Sequence, residues 1–323
     1  MPNLRQNIIT GDWVVIAPER AKRPEDFVQE KTLKKDVLKD CPFCVPNGSA
    51  YKTRIAEIED VYVIPNQFPA FVPEDAVYEQ GGALYPAFKS LGYHEVVILK
   101  DHKVDLENLS KNVWDELLYI YQKRLQFHYA NPAVEYSLVM HNHGENAGAS
   151  IEHPHSQILA TSVMPSYVAK ELLGSKDYFK KNQRCIFCDL VKAELGHQER
   201  LIFENDDFVA FCAYAARFPF EIWVLPKKHL SDFAQISKSE RLNLGEILGR
   251  IFRALNSKIN DPDYNFFIHT APPRQGNPSD YYHWHLEIVP RLTKLGGFEL
   301  GTSDFIDVVS PEKAAFFLKS KPH

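Results

Sequence analysis

The chain has 323 residues, 45% hydrophobic and 24% charged, an ordinary globular composition and enough length for about two domains. Lys and Arg number 37 against 42 Asp and Glu, and the resulting charge of −5 argues against non-specific binding to nucleic acid or an anionic membrane. The opening MPNLRQNIITGDW has no apolar leader core, and no apolar run approaches the ~18 residues of a membrane span, so a cytoplasmic protein is expected.

In chain order, CPFC comes first, with Cys41 and Cys44. The β-branched runs VYVIPN and HEVVIL predict strands over 61–66 and 94–99. Apolar residues at helical spacing predict a long helix within 106–130, and YSLVM predicts a strand over 136–140. The glycine-bearing GENAGAS and then IEHPHSQI follow. Residues 164–184 predict a linking helix, after which CIFC places Cys185 and Cys188. IFENDDFVAF, FEIWVLP, YNFFIHT and WHLEIVP read as strands, and 238–258 as a second long helix.

These parts repeat. CPFC, NQFPAF, GYHEVVILKDH, YSLVMHNHG and HPHSQI recur in the same order as CIFC, AARFPF, EIWVLPKKH, YNFFIHTAPP and HWHLEIVPR. The expectation is an α+β chain of two fused units, each with an antiparallel-dominated sheet and a long helix. The division is expected as residues 1–165 and 166–323.

Paired cysteines in a reducing compartment suggest metal or redox chemistry before disulfides. The first unit offers Cys41, Cys44, His102 and one histidine of the HPH motif; the second offers Cys185, Cys188, His229 and His283. A single site pooling all four cysteines is disfavoured, because a whole unit separates the pairs. His94 and His141 rank below His102 as ligands, and Cys212 reads as a small buried residue. On a strand, His153, His155 and Gln157 share one face, and Pro154 marks a strand end or local break. With His153 as a metal anchor, His155 is held beside it as the reactive group.

GENAGASIEHPHSQI resembles the active-site signature of galactose-1-phosphate uridylyltransferases, a branch of the histidine-triad superfamily that includes ADP-glucose phosphorylases. GDWVVIAPERAKRPEDF and HWHLEIVPRLTKLGGFELGTSDFIDVVSPEKAA carry the same resemblance, which spans nearly the whole chain. It implies transfer of a nucleoside monophosphate between sugar 1-phosphates through a nucleotidyl-histidine at His155, with Gln157 donating to a phosphate oxygen. It implies nucleotide and phosphate contacts from Arg20, Arg23, Asn66, Phe68 and Asn142; GENAGAS offers Gly148 for close backbone approach and Ser150 as a hydroxyl donor, and Phe298 and Glu299 are expected at the sugar. Two zinc ions are expected, with iron as the alternative in the second site. The implied partners are a nucleoside-diphosphate sugar, a sugar 1-phosphate and a second copy of the chain.

Gln67 stands where the best-known bacterial enzymes carry an acidic residue, and GGFELGTSD replaces a longer polar stretch. The base is therefore left open between uracil and adenine, and the acceptor between a sugar 1-phosphate and phosphate. A non-catalytic nucleotide or metal sensor is the third reading; His155, Gln157 and Arg20 speak against it. In the second unit His285 takes the place of His155, but Leu286 and Glu287 replace Ser156 and Gln157, so that site reads as structural.

Overall fold

Short runs of Val, Ile, Leu and aromatic residues, broken by turn residues, pair edge to edge into one large sheet. The computed structural model describes residues 1–20, 27, 41–46, 48–73, 79–80, 84–274 and 278–320. The chain begins with β1 (Asn3–Gln6) and β2 (Trp13–Ile16). The first unit continues with β3 (Ala56–Glu57), β4 (Val61–Pro65), β5 (Glu79–Gln80), β6 (Ala87–Phe88) and β7 (Gly92–Leu99). Helix α1 (Lys111–Ala130), β8 (Tyr136–His143) and β9 (His155–Thr161) complete it. Helices α2 (Ser166–Asn182) and α3 (Ile186–His197) lead into β10 (Leu201–Glu204), β11 (Phe208–Cys212) and β12 (Ile222–Pro226). Then come α4 (Lys238–Ile259), β13 (Tyr264–His269), β14 (His285–Pro290), α5 (Gly297–Thr302), β15 (Phe305–Asp307) and α6 (Pro311–Lys319).

The run expected as one strand over 202–211 is a hairpin. Asn205 turns the chain, its side-chain oxygen accepting from the Phe208 N–H at 2.9 Å. The first long helix starts five residues late, at Lys111, because Ser110 caps it by accepting from the Val113 N–H.

The ten-stranded sheet runs β10-β11-β12-β14-β13-β8-β9-β7-β4-β3, antiparallel throughout. The inner edges left by two fused units are thus paired within the chain. β8 and its counterpart β13 pair with each other, Tyr264 opposite His143 through Ile268 opposite Val139. Antiparallel pairing of equivalent strands relates the two units by a local twofold. A separate sheet, β1-β2-β15, joins the two ends of the chain, with β15 parallel to β2.

One face of the large sheet is covered by α1 and α4 over a core shared by both units, including Val97, Val139, Ile158, Val224, Phe266 and Ile288. The opposite face differs between the units. In the second, α2 and α3 bury Val209, Phe211, Trp223 and Leu225 beneath Leu172, Ile186 and Phe187. In the first, the buried cluster among the described residues is the smaller set Phe43, Tyr62, Ile64, Val96 and Ile98.

Helices α1 and α4 approach closely because α4 presents Gly245 to Trp114. A Cβ on Gly245 would lie 2.4 Å from the Trp114 Cβ, whereas one on Gly249 meets the flexible Arg253 guanidinium at 3.2 Å. Gly245→Ala is expected to destabilise by about 1–3 kcal/mol through overpacking, net of the helix-propensity gain of about 1 kcal/mol. Gly249→Ala is expected to be neutral or slightly stabilising. Urea unfolding midpoints of the two variants test the contrast; equal shifts of one sign would refute it.

Candidate functional site

The site is built on the hairpin β8–β9, whose connection carries Gly144, Gly148 and His153. Gly144 turns the chain at φ +83, and a Cβ there would strike the Asp263 carboxylate at 1.8 Å. Asp263 also accepts from the Asn146 backbone N–H at 2.7 Å and its amide at 2.8 Å, so the second unit anchors this turn.

Pro154 separates His153 from β9, which starts at His155. Both rings pack edge-on against Phe43, at 5.9 Å and 5.3 Å, so the two histidines share a face as the two-residue period predicts. Ser156 points the other way, to Tyr121 and to His141 Nδ1 at 3.0 Å. His141 is thus a packed, bonded residue, stacked on Phe266 at 5.1 Å.

The donor atoms of Cys41, Cys44, His102 and His153 lie within 4.8 Å of one another. Burial holds His153 down to about 4, so its ring is neutral. Its Nε2–H donates to the Leu99 carbonyl at 2.5 Å, which turns the Nδ1 lone pair toward Cys41 at 3.5 Å and Cys44 at 3.7 Å. His102 Nδ1 lies 3.2 Å from Cys44 Sγ. Two thiols and two imidazole nitrogens converging on one point fit a tetrahedral soft-to-borderline ion.

Cys185, Cys188, His229 and His283 form the same arrangement within the same 4.8 Å limit. His229 Nδ1 is 3.2 Å from Cys188 Sγ, and the Nε2–H groups of His229 and His283 donate to the Ser279 and Pro226 carbonyls. Here the cysteine pair sits at the start of α3, a helix the sequence reading did not anticipate.

His155 Nδ1–H donates to the His153 carbonyl at 2.8 Å. This fixes the tautomer and leaves the Nε2 lone pair free on a partly exposed ring. Burial keeps its pKa below the ordinary histidine value, and no carboxylate hydrogen-bonds it among the described residues. Gln157 Oε1 lies 2.7 Å from His94 Nε2, which gives His94 a partner other than a metal.

His285 keeps the same backbone bond, Nδ1–H to the His283 carbonyl at 3.1 Å. Its surroundings are opposite in character. His285, Glu171 and Glu287 are fully buried, with Glu171 reaching in from α2 to 3.4 Å of His285 Nε2 and 3.1 Å of His269 Nδ1. Glu287 lies 3.6 Å from the same Nε2 and pairs with Arg217. Burial pulls the His285 pKa down, but the Glu171 and Glu287 carboxylates overcome it and lift it to about 10. A protonated imidazole walled in by α2 is no nucleophile. Glu171, His269, His285 and Glu287 also have donor atoms within 4.8 Å of one another. The sequence reading missed this group, because Glu171 comes from the linking helix and has no counterpart in the first unit's repeat.

The family model for the N-terminal domain of galactose-1-phosphate uridyl transferase matches residues 1–165, and that for the C-terminal domain matches residues 171–303. The chain belongs to the galactose-1-phosphate uridylyltransferase family. It is 33% identical to ADP-glucose phosphorylase of Arabidopsis thaliana over 326 residues, covering 97% of this chain and 91% of that protein. It is 27% identical to galactose-1-phosphate uridylyltransferase of Thermotoga maritima, covering 98% and 97%. A crystal structure of the Arabidopsis thaliana ADP-glucose phosphorylase with bound ADP-glucose superposes with a TM-score of 0.83 at 31% identity, covering 99% of each chain. A uridylyltransferase structure gives 0.77 at 28% identity, covering 99% of this chain and 97% of that one.

The residues that the family resemblance implied are distributed as follows. Asn142, Gln157 and His155 lie on one face of β8 and β9, since Met140 pairs with Gln157 and Asn142 follows two residues on. Gly148 sits beside Asn142, at φ +84, and Ser150 is exposed nearby in the chain. Asn66 holds its own turn by accepting from the Phe68 N–H at 2.9 Å, and Phe68 is 83% exposed, so it is not a core residue. A cleft of about 320 Å³ opens beside Asn66 and His94, lined by Pro69, Phe71, Tyr93 and Phe127.

Arg20 is exposed at the end of the turn after β2, and Arg23 lies outside the described residues. Phe298 and Glu299 are on α5, where Glu299 accepts from the Gly296 N–H at 2.9 Å. No hydrogen bond joins α5 to His155 or Gln157 among the described residues. The small sheet bearing Arg20 and α5 is fastened to the second unit, by Arg5 to Glu312 at 2.8 Å and by Val14 and Ile16 against Ala215.

Proposed function

We propose that this protein transfers a nucleoside monophosphate between phosphate acceptors through a covalent bond to His155. The observation that carries the reading is the committed Nδ1–H of His155, which leaves a neutral Nε2 on the open face of the first unit. Nε2 attacks the α-phosphorus of a nucleoside-diphosphate sugar, forming N–P while P–O breaks, and the electron pair departs on the sugar 1-phosphate. The cationic ring keeps its Nδ1–H on the His153 carbonyl. No proton has to be removed from the nucleophile, which agrees with a site where no general base is bonded to His155 among the described residues. A phosphate oxygen of the acceptor then attacks phosphorus, N–P breaks and neutral His155 returns.

We read Gln157, Asn142, Gly148, Ser150, Arg20 and Arg23 as holding the phosphates, Asn66 and Phe68 the base, and Phe298 and Glu299 the sugar. Residues 1–165 carry the chemistry, and residues 166–323 carry the structural metal group and the sugar-binding segment. The leading donor and acceptor are UDP-glucose and a hexose 1-phosphate, a step of galactose metabolism. The similarity to ADP-glucose phosphorylase supports a second reading, an adenylyl donor with phosphate as acceptor. We read zinc in Cys41, Cys44, His102 and His153, and zinc, or iron as the alternative, in Cys185, Cys188, His229 and His283. Bound there, an ion supplies a crosslink; at the first group it fixes His153, whose carbonyl aims His155. We further read the protein as a homodimer in which Glu299 completes the partner's sugar pocket. The support is that α5, which carries Glu299, makes no hydrogen bond to His155 or Gln157 of its own chain among the described residues.

Incubation with UDP-glucose and ADP-glucose, followed by intact-mass measurement, is expected to add one uridylyl or adenylyl group. His155→Ala should add none and lose at least ~10⁴-fold in turnover, about 5.5 kcal/mol of barrier. A sensor would bind nucleotide without any adduct. Elemental analysis is expected to give about two metal equivalents per chain, falling to about one in Cys41→Ala; joint loss of both ions contradicts separate groups. Mixing His155→Ala with Glu299→Ala chains under subunit exchange should restore activity. No recovery, from two inactive parents and proven hybrids, places the whole site within one chain.

A further inference from the structure

A carboxamide has two ends of nearly equal shape and opposite polarity, and only its NH2 end helps beside a phosphate. Asn142 and Gln157 flank His155 on one sheet face, so their orientation matters. Each is backed by a residue that can bond it in only one sense.

Behind Gln157 stands His94, two strands' registers permitting the contact because Val96 of β7 opposes Gln157. His94 Nδ1 accepts from the Ala70 backbone N–H at 3.1 Å, so the ring proton is on Nε2. That Nε2–H faces Gln157 Oε1 at 2.7 Å. Asn66 Nδ2 also lies 3.1 Å from it but is itself a donor, since Asn66 Oδ1 is taken by the Phe68 N–H. Gln157 therefore gives its oxygen to His94 and turns its NH2 away.

Behind Asn142 stands Asn265, its partner across the junction of the two units. Asn265 Nδ2 donates to the Ala147 carbonyl at 2.8 Å, which only an NH2 can satisfy. Its second hydrogen reaches Asn142 Oδ1, also at 2.8 Å. Asn142 Nδ2 is left facing Gly148, 4.0 Å from where a Cβ would stand.

We propose that His94 and Asn265 are positioning residues that lock Gln157 and Asn142 with both NH2 groups toward the phosphate at His155. The second unit, whose own histidine is walled in, thus contributes to the chemistry of the first through Asn265. The proposal rests on the nucleotidyl-transfer reading above.

The test is the single-turnover rate of adduct formation with whichever nucleotide sugar labels the parent chain. Asn265→Asp keeps the shape but offers only acceptors, which invites Asn142 to flip. His94→Phe keeps a ring without an N–H, and His94→Gln restores an N–H at the Nε2 position. Asn265→Asp and His94→Phe are each expected to slow adduct formation roughly tenfold to a hundredfold, within the range for a lost transition-state donor. His94→Gln should recover most of the loss. In double mutants, Asn265→Asp should cost nothing further on Asn142→Ala, nor His94→Phe on Gln157→Ala, while the crossed pairs multiply. A merely structural role predicts multiplication in all four pairs and overturns the proposal, as do unchanged single-variant rates. Should His94→Phe lose its melting transition, the isosteric Asn265→Asp arm decides alone. No adduct on the parent chain with any nucleotide sugar strikes the transfer reading instead.

Discussion

The pairing of β8 with β13 is the constraint on which the rest depends. It turns two sheets into one, and the local twofold it imposes brings α1 and α4 together over a common core. The approach of those helices is closed by Trp114, with its ring stacked on Phe252 at 6.2 Å, and by Arg241 bonded to Asp115 at 2.7 Å. The same junction carries Asp263 to the Gly144 turn and Asn265 to Asn142. Hairpin β8–β9, which carries Asn142, His155 and Gln157, is therefore gripped from both sides.

The two units show how one framework supports opposite outcomes. Both place a histidine two residues after the last histidine of a group of two cysteines and two histidines, and both fix its Nδ1–H on that residue's carbonyl. The backbone geometry is shared, so the difference lies in what covers Nε2. Over β14 it is α2, which delivers Glu171 and leaves His285 charged and buried. Over β9 there is no helix among the described residues, and Nε2 of His155 stays neutral and open. Covering a surface and choosing a protonation state are here one event, because a buried cation needs its carboxylates and an uncovered neutral imidazole keeps its lone pair.

Much of this was legible in the sequence. The repeated order of motifs, CPFC with HPHSQ and CIFC with HWHLE, named both groups of two cysteines and two histidines, since metal ligands must be particular residue types at workable spacing. The period of two placed His155 and Gln157 on one face, and Pro154 marked the start of β9. Helical and strand periodicities located α1, α4 and the central strands, with errors at Ser110 and Asn205, where side-chain caps rather than apolar spacing set the boundary.

Residue types, order and local period were thus set by the sequence by itself: a repeated order of strands and long helix, two groups of two cysteines and two histidines, and one further histidine two residues after each. Tertiary structure alone decided which histidine is covered, because Glu171 lies far from HWHLE in the chain and reaches it only through the packing of α2. It alone decided that His94 backs Gln157 and Asn265 backs Asn142, because strand register, which no local pattern specifies, brings them across the sheet. It also decided that the N-terminal and C-terminal signatures meet in β1-β2-β15, a parallel pairing between chain ends that no short-range signal announces.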